Sequence, residues 1–421
     1  MHVVIVGNGI AGVTVARHVR KRDRKAKITL VSGESDHHWS RPALMYIFMG
    51  HMGYAQTKPY PDKFWRKNRI DLVRGWVERV DTGARELRFQ DGRTLDYDAL
   101  VLATGSVPNR FGWPGQDLER VQGMYSLDDL RGLDAAMPDT ERAVIVGGGL
   151  IGIELAEMLL TRGKQVTFLV REQAYWDNVL PPEEAALVTE LVRHHGIDLR
   201  LQTELAEIVD DGHGRAGGVV TSTGERIACQ LVGLTAGVRP NTSLAKASDL
   251  PTGRGILVDR TLRSATDGVF ACGDCAEIEV PGAERNLLQQ VWYTGRLQGE
   301  VCAANVLGEH VEYDPGIWFN SAKFFDLEYQ TYGTVPSAGR PDPSLTHHVW
   351  QQGQRLVRVV CDQDDVVVGF NLMGVRFRHR VCEAWIAARK RRSEVLPELR
   401  RAGFDPEFSP GLSQAALALG A

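Results

Sequence analysis

VVIVGNGIAGVTVARHVRK, from Val3 to Lys21, decides how the chain is read. A β-branched run stops at Gly7, a turn carries Gly9 and Gly12, and a segment with helical apolar period follows. The next β-branched run, ITLVSGE from Ile28 to Glu34, completes a βαβ unit. The same order recurs in AVIVGGGLIGIELAEMLLTRG, from Ala143 to Gly163, followed by VTFLVRE from Val166 to Glu172. Both loops read G-x-G-x-x-G: Gly7, Gly9 and Gly12, then Gly147, Gly149 and Gly152. The first glycine makes the tight turn, the second lets backbone approach a pyrophosphate, and the third lets helix and strand pack closely. A pyrophosphate then meets the free N–H groups and positive dipole end of the helix. One such loop is weak evidence, since a tight turn without ligand looks the same; two in matching context predict two nucleotide sites.

Working outward, Arg66 to Leu102 alternates apolar and polar residues around turns at Asp81–Gly83 and Asp91–Gly92, which predicts hairpin strands. Leu100 to Ala103 reads as a buried strand ending in Thr104-Gly105, and Leu231 to Ala236 mirrors it after the second unit. Ile197 to Val220 again reads as strands and turns. Leu287 to Leu307 has helical period, Tyr313 to about Phe370 is strand-like, and Arg378 to Arg400 reads as a basic helix.

Composition sets the limits. The chain has 421 residues, enough for two or three domains. A net charge of −4, from 49 basic and 53 acidic residues, gives no reason to expect nucleic acid as a partner. Six cysteines are too few for a disulfide framework, and no charged leader precedes the first strand, so a cytoplasmic setting without a secretion signal is expected. The most apolar long window, Ala143 to Leu160, holds Glu154 and Glu157 and fails as a bilayer span. The 44 glycines are in excess, and two phosphate loops account for part of them.

Several further motifs carry a resemblance. ATGSVPN (Ala103–Asn109) with WPG (Trp113–Gly115), TAGVRPN (Thr235–Asn241) and VFACGDCAE (Val269–Glu277) look like the two domain crossings and the late flavin motif of the pyridine nucleotide-disulfide oxidoreductase superfamily. The resemblance covers at least Met1 to Leu307 and implies an α/β fold. It predicts two Rossmann-like, glutathione-reductase-like dinucleotide-binding domains plus a C-terminal α+β domain. It implies a discontinuous FAD-binding domain at 1–112 and 235–312, an NAD(P)H-binding domain at 113–234, and a C-terminal interface domain at 313–421. FAD is assigned to the first loop with Thr104, Gly105 and Asp274, the last bonding the ribityl chain. NAD(P)H is assigned to the second loop.

No cysteine precedes Cys229, which excludes the redox-cysteine mechanism of the disulfide reductases. The nearest branch is the cysteine-less one, similar to ferredoxin and rubredoxin reductases and to the flavin module of nitrite reductase large subunits. SRPAL (Ser40–Leu44) resembles that branch's segment toward the isoalloxazine, which makes Arg41 a cofactor-binding candidate. QQVWYTGRLQG (Gln289–Gly299) resembles its late helix, with Trp292 and Gln298 on matching positions.

The departures matter as well. Where the branch has a lysine near the flavin this chain has Tyr46, while the glutamate expected to pair with it is kept as Glu154; both are candidate catalytic residues. An ordinary acid favoured by a helix N-terminus is the plain reading of Glu154. The acid expected to bond the FAD ribose is displaced from Ser32 or Gly33 to Glu34. At the matching place in the second unit stand Val170 and Arg171, so Arg171 leans the chain toward NADPH, although Glu172 follows at once. NADH versus NADPH stays open.

Other signals read as structural. Cys272 and Cys275 form C-x-x-C inside the flavin turn, where small residues are needed. The pairs His37-His38, His194-His195 and His347-His348 lack a second pair at metal spacing, so solvated or capping roles and no metal are expected. MYIFMGHMGY (Met45–Tyr54) is either core or a lid or docking surface by the flavin. RKRR (Arg389–Arg392) is a solvated face unless it draws an acidic partner or anionic membrane. In the tail, the resemblance implies that Trp318 or Phe324 covers the flavin.

These readings converge on an FAD-dependent NAD(P)H oxidoreductase acting in electron transfer. Its expected acceptor is a small iron-sulfur protein such as a ferredoxin, or a rubredoxin; a homodimer is left open. Two alternatives remain. A quinone reductase resembling type II NADH dehydrogenase calls for a C-terminal anchor, for which Ala415–Leu419 is very short. A flavin-binding interaction protein resembling apoptosis-inducing factor would not turn over.

Overall fold

The computed structural model describes residues 1–404 and 412–420. By contacts the chain divides into two compact units, each described by itself: Met1–Asn109, Tyr125–Arg131 and Gly237–Pro315 in one, Arg110–Met124, Gly132–Ala236 and Gly316–Ala421 in the other.

The first unit is built on a five-stranded parallel sheet. In spatial order its strands are Val269–Ala271, Ala99–Leu102, His2–Val6, Lys27–Ser32 and Asp71–Arg74. Val3–Val6 and Leu100–Leu102 are almost wholly buried, as continuous apolar runs in a parallel sheet covered on both faces must be. The helix Ile10–Arg22 starts at Gly9, buries Ala11, Val15, Ala16 and Val19, and carries Arg20, Lys21 and Arg22 in its last turn, where cations complement the dipole. It packs against the helix Trp292–Val306; a Cβ on Gly299 would lie 2.7 Å from the Ala11 carbonyl, so the contact depends on glycine. A three-stranded antiparallel sheet, Val77–Asp81, Glu86–Phe89 and Thr94–Asp96, is the hairpin set read from the alternation.

One expected boundary moves. The helix predicted from Leu287 begins only at Trp292, because Leu287 pairs with Ile278 through backbone bonds in both directions, N–O 2.9 Å each.

The second unit repeats the plan: Asp198–Leu201, Gln165–Val170, Arg142–Val146, Leu231–Leu234 and Val121–Gln122 form a parallel sheet. It also holds a five-stranded antiparallel sheet, Phe319–Phe324, Leu327–Gly333, Val367–Met373, Arg355–Cys361 and Thr346–Gln352. Arg358 of that sheet is buried and bonds Glu184 of the helix Pro182–His194 through Nε at 2.8 Å and Nη2 at 2.7 Å, and Glu183 at 2.5 Å.

The basic stretch Arg378–Arg400 is not one helix. His379–Ala387 ends before Arg389, which sits at φ 50°, and Lys390 accepts a backbone bond from Val367; Arg392–Val395 and a 3-10 turn follow. RKRR is solvated at Arg389 and Arg391, as expected of such a run, and three of its four cations are paired. Arg389 pairs with Asp362, Lys390 with Glu398 and Arg392 with Asp365. The terminal helix Leu412–Gly420 buries Leu412, Ala415 and Leu419 against its own sheet domain, while Leu417 is exposed. Among the described residues no helix is long and apolar enough to cross a membrane.

Candidate cofactor sites

Each glycine loop takes the shape its residues predict. Gly7 has φ +116°, and a Cβ there would fall 2.0 Å from the Ala103 carbonyl oxygen. On Gly12 it would fall 2.0 Å from the Gly7 oxygen. On Gly9 it would meet nothing within 4 Å. The loop is therefore closed where strand and helix must touch, and open at the position that faces a phosphate. This is the cradle a dinucleotide pyrophosphate needs. The second loop repeats it: Gly147 has φ +116° against Thr235, Gly152 abuts Gly147 and Phe168, and Gly149 is open.

In the first unit a polar chain runs from one candidate to the next. Asp274 lies in the turn after Val269–Ala271, and Ser106 Oγ donates to it at 2.9 Å. Burial pushes the Asp274 carboxyl above its ordinary range, against the pull of Ser106 and Arg41. The Tyr125 hydroxyl lies 3.2 Å from both Ser106 N and Ser106 Oγ. The Tyr125 carbonyl accepts from Arg41, whose guanidinium lies between the Trp39 and Tyr125 rings at 4.8 and 4.5 Å. Arg41 in turn donates to both oxygens of Glu34, at 3.2 and 2.6 Å, and Leu127 N donates to one of them at 3.2 Å. Glu34, Arg41 and Asp274 are thus connected through Ser106 and Tyr125, neither of which the sequence singled out. Thr104 Oγ1 donates to the Asn241 carbonyl at 2.7 Å, tying the two crossings together, and Gly105 takes φ +70°.

The other residues singled out in this unit make no bond within that chain. Tyr46 lies on the short helix Leu44–Phe48; it is 36% exposed and stacks on His51, while Met45 and Phe48 are core. The Met45–Tyr54 segment is therefore core on one side and exposed on the other. Trp292, half exposed, opens its helix, and Gln298 of that helix accepts from Gly273 N at 2.7 Å beside Asp274. Cys272 and Cys275 are buried, the Cys275 Sγ lying 3.4 Å from the Leu102 carbonyl; burial pushes that thiol up to about 11.

In the second unit, Tyr175 is fully buried and its hydroxyl donates to the Gly149 carbonyl at 2.9 Å, a brace that no local pattern announces. Glu154 sits one turn into the helix Leu150–Thr161. It is half-buried and has no hydrogen bond or ion pair among the described residues; desolvation, then the Glu157 charge, pushes it up to about 7. Arg171 is mostly exposed, and its Nε lies 2.8 Å from Glu172, so the cation read as a 2′-phosphate partner is already shared. Phe324 is fully buried against Trp176 and Tyr329, which removes it as a cofactor cover; Trp318 is 36% exposed.

The histidines divide: His38 is buried and bonds the Asn8 carbonyl at 2.8 Å rather than lying in solvent, whereas His195 takes the expected capping role at the end of the helix Pro182–His194, its Nδ1 2.9 Å from the Leu191 carbonyl, and stacks on Phe325 at 3.8 Å. Sheet register also brings ligand atoms of His348, Cys361 and Asp365 within 4.8 Å of one another, a grouping that sequence spacing hides. The Arg392 guanidinium, 3.0 Å from Asp365, opposes a cation there.

Residues 1–299 match the family described as pyridine nucleotide-disulphide oxidoreductase. The ferredoxin reductase component of a chlorobenzene dioxygenase from a Cupriavidus species is 32% identical over 312 residues, 73% of this chain and 75% of that protein. Rubredoxin-NAD(+) reductase from Pseudomonas putida is 30% identical over 278 residues, 66% of this chain and 72% of that protein. Among solved structures, a ferredoxin reductase from Rhodopseudomonas palustris matches with TM-score 0.80 and 25% identity, over 99% of both chains.

Proposed function

The chain belongs to the pyridine nucleotide-disulphide oxidoreductase family, and from that premise we propose that it is an FAD-dependent NAD(P)H oxidoreductase that delivers electrons to a ferredoxin-type iron-sulfur protein or a rubredoxin. The observation that carries this reading is the pair of open-centred glycine loops in a chain whose six cysteines are all buried, leaving no exposed thiol to relay electrons. The partner class follows from the relatives, one a rubredoxin reductase and two ferredoxin reductases.

FAD, when bound, supplies hydride acceptance and single-electron release, which side chains lack. The chain supplies position and electrostatics. Gly7, Gly9 and Gly12 hold the pyrophosphate of FAD. Asp274, kept in place by Ser106, would hold the ribityl chain, and Arg41, Thr104, Gly105 and Trp292 are assigned to the rest of the FAD site. Gly147, Gly149 and Gly152, braced by Tyr175, hold NAD(P)H. Glu154, unpaired and half-buried, is assigned to orient the nicotinamide, and Tyr46 takes the place of a charged residue by the flavin. The FAD part is assigned to 1–112 and 235–312, the NAD(P)H part to 113–234 and an interface part to 313–421, in a cytoplasmic protein.

The test is anaerobic mixing of the flavin-loaded protein with NADH or NADPH, followed by addition of an oxidised ferredoxin or rubredoxin. Flavin bleaching within seconds and reduction of the carrier are expected, both unchanged by iodoacetamide because every thiol is buried. A protein that holds no flavin, or a flavin that takes hours to bleach, overturns the reading.

A further inference from the structure

At the adenosine end of the first site the structure holds an arrangement that the glycine motif does not announce. The strand Lys27–Ser32 ends beside the glycine turn, since Gly7 N donates to the Val31 carbonyl at 2.8 Å. The neighbouring strand Asp71–Arg74 ends level with it, Gly75 N donating to the Ser32 carbonyl at 3.0 Å. Gly33 and Trp76 therefore stand together on the carboxyl edge of the parallel sheet, the edge along which dinucleotides lie. A Cβ on Gly33 would fall 2.2 Å from indole Cδ2 and 2.5 Å from both Cε2 and Cε3. Near-equal distances to three atoms at the ring fusion mean that the Gly33 Cα faces one side of the indole, in the space a Cβ would take.

The rest of the ring is open. Trp76 is 59% exposed, and its N–H has no hydrogen-bond partner among the described residues. A large aromatic pinned on one face and bare on the other is a stacking surface with its ordering cost already met by the fold. The acid that such a strand end commonly offers to a ribose is absent from Ser32 and Gly33, and both oxygens of Glu34 are engaged by Arg41.

We propose that Trp76, laid on Gly33, is the purine platform of the first site and stacks on the adenine of FAD. This rests on the assignment of FAD to that loop. Base stacking on an aromatic ring, judged by alanine replacement, is large enough for a change of about tenfold or more in affinity.

The experiment strips the flavin and titrates the apoprotein with FAD and with FMN, which lacks the adenosine, following flavin fluorescence. Trp76→Ala is expected to weaken FAD binding about tenfold or more and leave FMN unchanged. Trp76→Phe retains most of the affinity, and Gly33→Ala, which evicts the indole, matches Trp76→Ala. An FAD affinity within twofold of wild type in Trp76→Ala overturns the platform, as does a parallel loss of FMN. Wild-type apoprotein that binds neither flavin overturns the parent assignment itself, a result distinct from a wild type that binds FAD without Trp76 mattering.

Discussion

Replacing Glu154 by glutamine tests whether the second site holds a destabilised carboxylate. In the folded protein desolvation and Glu157, one turn further along the helix, push Glu154 from 4.5 up to about 7. The interval corresponds to about 3.4 kcal/mol at about 1.36 kcal/mol per pH unit. Because the residue is only half-buried, water removes part of this, and about 1–2 kcal/mol is expected. The sign follows from proton linkage. Below pH 4.5 both folded and unfolded chains keep the proton, and Glu154→Gln changes nothing. Between pH 4.5 and 7 the unfolded chain releases a proton that the folded one retains, so wild-type stability falls with rising pH relative to the variant, and above pH 7 the difference is constant. Thermal melts of the flavin-loaded protein without NAD(P)H, run from pH 4.5 to 8.5, are expected to show the variant melting about 2–4 °C higher at pH 8.5 and equal at pH 4.5. Lys323→Met removes the cation 3.6 Å from Glu157 and enlarges the gap. A difference that does not grow through pH 4.5–7, or a variant less stable at pH 8.5, refutes the reasoning.

Gly9→Ala and Gly12→Ala separate binding from folding. Gly9 has φ −67° and open space beyond its Cβ position, so its alanine variant is expected to melt within about 1 °C of wild type while FAD affinity falls about tenfold; a Cβ 2.0 Å from the Gly7 oxygen makes Gly12→Ala cost about 2 kcal/mol or more. Arg358→Met strands Glu184 inside the protein and is expected to cost about 3–5 kcal/mol in denaturant titration, most of it recovered in Arg358→Met with Glu184→Met; a double variant no better than the single one contradicts this. Glu172→Gln releases Arg171, and the kcat/KM ratio of NADPH to NADH is expected to rise several-fold; no change means that Arg171 does not meet the 2′-position.

The parts legible beforehand share one property: their physical requirement is local. A backbone that must turn at Gly7, open at Gly9 and touch Gly12 announces itself within six residues, and buried parallel strands announce themselves as apolar runs. The errors arose where a period looked local but a distant segment decided it. Leu287 has the spacing of a helix, yet Ile278 takes its backbone into a strand pair, and Val367 ends the helix begun at His379. His38, read as solvated or capping, is drawn into the core by Asn8, 30 residues away.

By itself the sequence determined that this chain makes two βαβ glycine loops and that no cysteine precedes Cys229, and it moved the acid expected at the first ribose from Ser32 or Gly33 to Glu34. Only the tertiary structure decided what surrounds those loops. Ser106 reaches Asp274 across 168 residues, Arg358 reaches Glu184 across 174, Tyr175 braces Gly149, and the Trp76 ring covers Gly33. The physical reason is the range of the interaction. Glycine's steric freedom acts on its own backbone, whereas a side-chain hydrogen bond or a ring face needs a partner whose place is set by sheet order and register.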